Sequence, residues 1–198
     1  NSDMGAVVLF QWNGSDWEKM DPTLIGTPPA YDLSGSSLYF GTSVALNASG
    51  TVLAVGAYRD NGDKGAVVLF QWNGYAWAQM DATLKGDTAS YGLSLSGNLF
   101  FGSSVALNAS GTVLAVGANG DNSYKGAVVL FQWNGSAWAQ MGATLIGTPP
   151  AYNLSGSIIN FGSSVALNAS GTVLAVGAFS DNSDMGAVVL FQWNGSDW

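Results

Sequence analysis

The sequence contains no cysteine and no histidine among its 198 residues. Disulfide bridges, thiolate and imidazole metal sites, cysteine nucleophiles and the most common general base are therefore excluded. No apolar run approaches the roughly 18 residues that a membrane-spanning helix needs. These absences lead us to predict that the chain is not an enzyme, holds no cofactor and does not insert into a membrane.

Charged residues are also rare, at 9% of the chain against roughly 25% in ordinary soluble domains. Thirteen acidic and five basic residues give a net charge of −8, which argues against nucleic acid as a partner. Because 47% of the residues are hydrophobic, a free monomer would expose apolar surface dotted with small polar residues. We expect self-association or covalent glycans to cover this surface.

What the sequence has in abundance is internal repetition. Residues 101–135 read FGSSVALNASGTVLAVGANGDNSYKGAVVLFQWNG, and close copies occupy 40–74 and 161–195. The run GAVVLFQWNG occurs a fourth time from Gly5. Self-similarity at a fixed long period predicts a repeat architecture. We divide the chain into an N-terminal partial repeat (1–39), a first repeat (40–100), a second repeat (101–160) and a C-terminal partial repeat (161–198).

Each repeat divides at turn residues into four short apolar runs, called strands A to D here. In the second repeat they cover 101–107, 112–118 and 126–133, and the fourth begins near Trp138. Runs rich in Val, Leu and aromatics and bounded by Asn, Gly and Ser are typical of strands joined by hairpins. The Asn-Gly pair before strand D favours a hairpin turn, because both residues tolerate positive φ.

Alternation along strand A separates a face of large side chains from a face made of Gly102, Ser104 and Ala106. The small face suits close contact with a neighbouring sheet, and strand C is apolar on both faces. A sheet covered on both sides and repeated along the chain is typical of a propeller blade or a stacked β array. The predicted fold is therefore all-β, with tandem four-stranded antiparallel meander sheets that stack as an open array or form part of a β-propeller.

The runs Phe-Gly-Ser-Ser-Val-Ala-Leu, Leu-Ala-Val-Gly-Ala and Gly-Ala-Val-Val-Leu-Phe resemble the FG-GAP repeat, the blade unit of integrin α-type β-propellers. The resemblance covers every repeat and implies a propeller-blade fold, but it implies little about function. Integrin-like blades often carry an Asp-rich calcium loop before the Val-Gly-Ala strand. The matching turns here are Asn-Ala-Ser-Gly, at 47–50, 108–111 and 168–171. They have no carboxylate and are too short to surround calcium, so we expect no calcium there.

The two ends of the chain are identical, since residues 1–17 recur unchanged as residues 182–198. A recent duplication would explain this identity, and so would a window from a longer array with a period of three repeats. Both ends supply a strand C, and three blades are fewer than the roughly four to eight of a closed propeller. An open array, or a ring completed by other chains or repeats, is therefore favoured.

Seven positions fit the glycosylation pattern Asn-x-Ser/Thr and fall in predicted turns or linkers, where Asn and Ser are also common for backbone reasons. These are Asn13, Asn47, Asn108, Asn134, Asn153, Asn168 and Asn194, with Asn47, Asn108 and Asn168 as the best candidates. Two linkers carry Thr-Pro-Pro, which stiffens the backbone toward polyproline II and serves as a spacer or as a site of O-glycosylation or hydroxylation. The residues concerned are Thr27, Pro28, Pro29, Thr148, Pro149 and Pro150.

Two further patterns have more than one interpretation. The loops that begin at Asp60, Asp121 and Asp181 carry one or two carboxylates each, which favours a solvated turn over a weak cation contact. The eight tryptophans form pairs five residues apart across the Asn-Gly turns. Such pairs usually stabilise a hairpin, and the alternative is a platform on which sugars stack.

These observations predict a structural protein of the cell surface or extracellular space. We expect it to form a fibre or surface assembly by head-to-tail stacking and to carry glycans. The expected partner is another copy of the chain. The alternative function is that of a propeller-type adhesion or carbohydrate-binding module, with glycans as partners.

Overall fold

A computed structural model describes residues 3–94 and 97–198. Short strands and tight turns dominate these ranges, and no helix in them is long and apolar enough to cross a membrane. The strands are β1 (Ala6–Trp12), β2 (Trp17–Ile25), β3 (Val44–Leu46), β4 (Val52–Ala57), β5 (Ala66–Trp72), β6 (Trp77–Gln79), β7 (Leu84–Lys85), β8 (Phe101–Leu107), β9 (Val113–Ala118), β10 (Ala127–Trp133), β11 (Trp138–Gln140), β12 (Leu145–Ile146), β13 (Phe161–Leu167), β14 (Val173–Ala178) and β15 (Ala187–Gln192). Single helical turns occupy Asp60–Asp63, Thr88–Tyr91, Asp121–Tyr124 and Asp181–Asp184, with 3-10 turns at Ala30–Asp32 and Ala151–Asn153.

The strands form four antiparallel sheets, one for each full or partial repeat. The second repeat forms the order β11-β10-β9-β8, and β12 continues strand D by pairing with β10. The first repeat has the same arrangement from β3 to β7. The N-terminal partial repeat supplies only strands C and D (β1 and β2), and the C-terminal one supplies A, B and C (β13 to β15). The predicted all-β meander is confirmed, with strand D split in two in both full repeats.

The sheets stack face to face, and an apolar core lies between each neighbouring pair. Between the first and second repeats, Val67 and Leu69 pack in one core with Leu114 and Val116. Full burial of such a side chain stabilises the fold by about 1.5–3 kcal/mol. Because these cores lie between sheets, each repeat depends on its neighbours. The chain is an open series of blade-like sheets in which the first and last sheets have one outward face each.

Three aromatic rings connect each linker to the sheet that follows it. In the second repeat, Tyr91 stacks on Phe101 with ring centroids 5.8 Å apart, and Phe131 meets both rings edge-on at 5.1 and 6.2 Å. The same cluster forms twice more, from Tyr31, Phe40 and Phe70 and from Tyr152, Phe161 and Phe191. Ring pairs of this kind add about 0.5–1.5 kcal/mol beyond their buried area. Tyr31, Tyr91 and Tyr152 therefore tie their linkers to the sheets that follow.

The turn between strands C and D uses its asparagine in a different way from the one predicted. Trp133 and Trp138 form the last strand pair, so the turn has four residues. The Asn134 side-chain oxygen accepts hydrogen bonds from the backbone N–H groups of Ser136 and Ala137, each at 2.9 Å. Only Gly135 has a positive φ, of 101°. The predicted hairpin is confirmed, and of the Asn-Gly pair only the glycine takes positive φ because the asparagine closes the turn with its side chain.

The loops between strands B and C make a tight left-handed turn. In the second repeat Asn122, Ser123 and Tyr124 all have positive φ, at 48°, 56° and 65°. This conformation costs an L-residue about 1–2 kcal/mol. A turn of three such residues needs anchoring from outside, and the aspartate before it provides the anchor.

Candidate functional site

The contacts between neighbouring repeats show how a partner could pack against the surfaces at the two ends of the chain. The Ser43 hydroxyl donates to the Gly102 carbonyl, and the Ser104 hydroxyl donates to the Gly162 carbonyl, both at 2.7 Å. The backbones approach closely because strand B carries glycine there: a Cβ on Gly117 would overlap the Gly162 carbonyl. The predicted close contact of the small face with the next sheet is confirmed.

The first outward surface, called the leading face here, lies at the N-terminal end. Its apolar side chains are Val8, Phe10, Val44 and Leu46. Val44 is 53% exposed, whereas its counterpart Val105 is 9% exposed because it packs against the first repeat. A groove of about 520 Å³ runs between Val44 and the free edge of β1. In the interior of the chain, strands A and B of the preceding repeat occupy the corresponding space.

The second outward surface, called the trailing face, lies at the C-terminal end. It consists of Ala166, Val173, Val188 and Leu190. Val188 and Leu190 are each 71% exposed, whereas their counterparts Val128 and Leu130 are buried against the C-terminal partial repeat. The leading and trailing faces are thus the two halves of an interface that the chain already forms between its own repeats.

The acidic loops are built around a buried carboxylate. Asp60 is fully buried; it accepts the backbone N–H of Ser34 at 2.6 Å and lies 3.0 Å from the Lys85 ammonium. Asp121 and Asp181 accept the backbone N–H of Ser94 and Ser155 in the same way, also at 2.6 Å. The interpretation of these loops as solvated turns is therefore wrong for the first aspartate of each. That residue ties the left-handed turn to the linker.

The second repeat lacks the cation that accompanies Asp60. Ile146 occupies the position of Lys85, so no ammonium from that position reaches Asp121. Burial raises the pKa of the Asp121 carboxyl above its usual 3.8, and hydrogen bonds from the backbone N–H groups of Ser94 and Asn122 partly offset this. The charged form of Asp121 is therefore a local cost to the fold.

We expect this cost to appear as pH-dependent stability. Because the pKa is raised on folding, the folded chain binds the proton more tightly, and the free energy of unfolding falls as pH rises through the range above 3.8. Asp121→Asn keeps the acceptor oxygen and removes the charge. In urea unfolding, the variant should be more stable than the parent at pH 7, and its advantage should shrink toward pH 4.

Ile146→Lys is the matched variant, since it restores the arrangement of the first repeat. The added ammonium should offset the cost of the charged Asp121 carboxylate, so that stability no longer rises on acidification toward pH 4. An advantage of Asp121→Asn that is the same at every pH would contradict this account.

Metal binding was not expected, and among residues 3–94 and 97–198 no group of three or more carboxylates is placed to hold an ion. The Asn47 turn is closed by its own side chain, whose oxygen accepts the backbone N–H groups of Thr51 and Val52. We therefore expect EDTA to leave the melting midpoint unchanged in a thermal scan. A decrease that added calcium reverses would show that the acidic loops bind an ion.

The seven glycosylation candidates differ in accessibility. Asn47 and Asn108 are 7% and 4% exposed, and the Asn108 amide nitrogen donates to the Ser110 hydroxyl at 3.1 Å. These two favoured candidates are thus the least accessible, because the atom that would carry a glycan lies inside a closed turn. The exposed candidates are Asn13, Asn134, Asn153, Asn168 and Asn194. Whether any is modified stays a prediction.

The Thr-Pro-Pro segments are surface features, with Thr27, Pro29, Thr148 and Pro150 exposed and Pro28 and Pro149 partly buried. Pro29 and Pro150 each have φ of −89° and ψ of 18° and lead directly into a 3-10 turn. The prediction of polyproline II is wrong at these residues, because the chain must turn to place Tyr31 and Tyr152 on the following sheet. Their modification also stays a prediction.

The tryptophan pairs pack across the C–D turns, with ring centroids 5.5–5.7 Å apart in all four copies. In the full repeats Trp77 and Trp138 are buried, which leaves little ring surface for a sugar. Trp12 and Trp17, at the N-terminal end, are exposed. The geometry supports the hairpin-stabilising interpretation for the interior pairs.

An aromatic surface that no sequence pattern indicated lies beside the B–C loops. Tyr58 lies between Tyr39 and Phe100, with ring centroids 5.5 Å from each, and the Arg59 guanidinium sits 5.1 Å from the Tyr39 ring. A cavity of about 340 Å³ adjoins these side chains. One signal was available in the sequence: Tyr58 becomes Asn119 and Phe179 in the other repeats, while the strand just before it, Val52–Ala57, is the same in all three.

Comparisons with known proteins add little to this geometry. No protein-family model matches the sequence, and no curated protein matches it. Among solved structures, TolB from Acinetobacter baumannii is similar over 96% of this chain, with 9% identity and a TM-score of 0.45. An assigned 6-phosphogluconolactonase from Bacteroides uniformis is similar over 95%, with 11% identity and a TM-score of 0.41. The chain spans 39% and 49% of the lengths of these two structures.

Proposed function

We propose that this chain is a structural protein whose repeats continue from one copy to the next, head to tail, in a fibre or surface assembly. One observation carries the proposal: the leading and trailing faces match the surfaces that the interior buries between repeats. Val44 and Val188 are exposed at the ends, whereas their counterparts Val105 and Val128 are buried. Contacts between two different surfaces give rings if the rotation closes and filaments if it does not.

The resemblance to FG-GAP repeats and the exposed sequons support a location at the cell surface or in the extracellular space. In this proposal the assembly carries N-linked glycans at exposed turns such as Asn134, which lies on a C–D turn away from both end faces. The proposed assembly needs no cofactor, metal ion or catalytic residue. Mass spectrometry of protein secreted from a eukaryotic host would detect glycans, and an unmodified mass would remove this part of the proposal.

Assembly should be measured by sedimentation velocity and negative-stain microscopy over a range of protein concentrations. We expect elongated species that grow with concentration and resist added salt, because the joining surfaces are apolar and hold few charges for salt to screen. A monomer at every concentration, or isolated discs or rings, would contradict the fibre proposal.

Two substitutions make this experiment specific to the end faces. Ala166→Trp places a bulky side chain on the exposed trailing face and should abolish growth without unfolding the chain. Its counterpart Ala106→Trp lies in an interior interface and should destabilise the monomer itself. Ser136→Trp is the control for added aromatic surface, since the same turn position in the first repeat carries Tyr75, which is exposed.

The aromatic surface favours a second candidate function, a carbohydrate-binding module. Its adjacent aromatic rings, the nearby Arg59 and the adjoining cavity supply the combination of aromatic and polar groups typical of small-molecule sites. A binding surface is also expected to vary between repeats, as the position of Tyr58 does. A glycan array should then show binding that Tyr58→Ala removes and Tyr75→Ala keeps. Retention of the signal in Tyr58→Ala would locate binding elsewhere.

A further inference from the structure

The identical ends of the chain correspond to one particular strand in the structure. The repeated 17 residues contain β1 at one end and β15 at the other, and both are strand C of an incomplete sheet. The first sheet has strands C and D, and the last has A, B and C. Two copies placed end to end therefore bring all four strands of a blade together, with one strand C too many.

The pairing register allows either copy of strand C to complete this blade. In the second repeat, β9 pairs with β10 so that Val113 is opposite Gln132. In the C-terminal partial repeat, β14 pairs with β15 in the same register, with Val173 opposite Gln192. Because β1 has the sequence of β15, the register places Gln11 opposite Val173 if β1 takes the place of β15.

We infer that copies of this chain join by strand exchange, in which β1 of one copy displaces β15 from β14 of another. This inference rests on the head-to-tail assembly proposed above and specifies its mechanism. The joint blade then has strands A and B from one copy and strands C and D from the next. Residues 182–198 of the first copy are released, and residues 1–17 of the second replace them one for one.

The exchange keeps the hydrogen bonds of the old pair and adds packing that the separate chains lack. The free edge of β1 in the second copy becomes paired with β14 of the first copy, which enters the groove beside β1. There Val173 of the first copy covers Val44 of the second, in the same way that Val52 packs against Val105 within one chain. Phe10 replaces Phe191 in the ring cluster with Tyr152. The net gain is apolar area removed from water at Val44 and Leu46 of the leading face and at Ala166 and Val173 of the trailing face, because Val188 and Leu190 leave with β15.

β15 is the strand expected to leave. β1 and β2 are joined by a turn of only four residues, whereas the loop between β14 and β15 is twice as long. The segment before β1 is also attached to the start of the first repeat. The carbonyls of Asp3 and Met4 accept the backbone N–H groups of Tyr39 and Phe40 at 2.9 and 3.0 Å. The outer side chains of β15, Val188 and Leu190, are exposed.

Disulfide trapping tests the exchange directly, since the chain has no cysteine of its own. Gln11→Cys and Val173→Cys are combined in one full-length chain. Both positions are exposed, and they lie in different sheets of the monomer. Facing residues of an antiparallel pair are about 4.5–5.5 Å apart at Cα, within the range of a disulfide. Exchange therefore predicts a ladder of disulfide-linked multimers on a non-reducing gel, while each single-cysteine chain stops at the dimer.

A locked variant is the matched control. Val173→Cys combined with Gln192→Cys should form a disulfide within one chain that holds β15 on β14. The oxidised form should remain monomeric, and dithiothreitol should restore assembly.

The possible results separate the two levels of the proposal. If chains assemble without a ladder, and the locked variant assembles as well as the parent, the exchange is wrong and simple stacking of faces explains the assembly. If the unmodified chain does not assemble at any concentration, the proposed function and the exchange both fail.

Discussion

Replacing Gly117 with alanine should lower the melting midpoint of the chain by roughly 6–12 °C, which corresponds to about 3 kcal/mol for a protein of this size. The added methyl group would overlap the carbonyl oxygen of Gly162 in the next repeat and the hydroxyl of Ser104 in its own sheet. The Ser104 hydroxyl can rotate away, but the Gly162 carbonyl is backbone and cannot, so the second and C-terminal repeats must move apart. Thermal unfolding followed by circular dichroism would measure the loss.

Gly177→Ala is the matched control, because Gly177 is the same residue of the same strand with no repeat packed beyond it. There the methyl group meets the Ser164 hydroxyl but no carbonyl of a following sheet. We expect a clearly smaller loss of stability. The same variant should weaken assembly, since in a head-to-tail joint Gly177 would face the next copy. Equal losses in the two variants would show that close packing between sheets does not set the cost.

Asn108→Ala is expected to cost about 3 kcal/mol, because it leaves two backbone N–H groups without their acceptor at a mostly buried site. The Asn108 side-chain oxygen accepts the N–H of Thr112 at 2.8 Å and that of Val113 at 3.0 Å. The amide nitrogen also holds the hydroxyls of Ser110 and Thr112 in the turn. Urea unfolding of the parent and the variant would measure the difference in the free energy of unfolding.

The C-terminal partial repeat again supplies the control. Asn168 makes the same hydrogen bonds, but its turn is exposed, so water can replace the lost acceptor. Asn168→Ala should therefore cost about 1 kcal/mol or less. If Asn168→Ala were as damaging as Asn108→Ala, burial between repeats would not be the cause of the larger effect.

The sequence alone predicts the strands and the faces by which they pack. Alternation of Gly102, Ser104 and Ala106 with larger residues identified the face that approaches the next sheet, because this signal is local and has the period of a strand. In the second repeat the turn residues marked the ends of strands A, B and C within one position, whereas strand A of the first repeat begins only at Val44 and not at Phe40. These features depend on neighbours in the sequence, which a single chain displays directly.

Features that depend on distant contacts could not be predicted in this way. The loop composition predicts a solvated Asp60, yet Asp60 is fully buried and accepts the backbone N–H of the linker residue Ser34, 26 positions away. Tyr91 belongs to a polar linker in the sequence, yet its ring stacks on that of Phe101. Asn108 fits a glycosylation pattern, yet its side-chain amide is engaged in hydrogen bonds within the turn that it closes. In each case the local pattern is compatible with two environments, and the stacking of the sheets decides between them.

The turns between strands A and B give the array a direction. The backbone N–H of Ala48 donates to the carbonyl of Ala109 at 3.1 Å, and the N–H of Ala109 donates to the carbonyl of Ala169 at 3.0 Å. Every bond of this row runs from an earlier repeat to a later one, so one end of the row can only be continued by an acceptor and the other only by a donor. Two like ends cannot continue it. A filament built from such units would be polar, with chemically distinct ends that can add subunits at different rates.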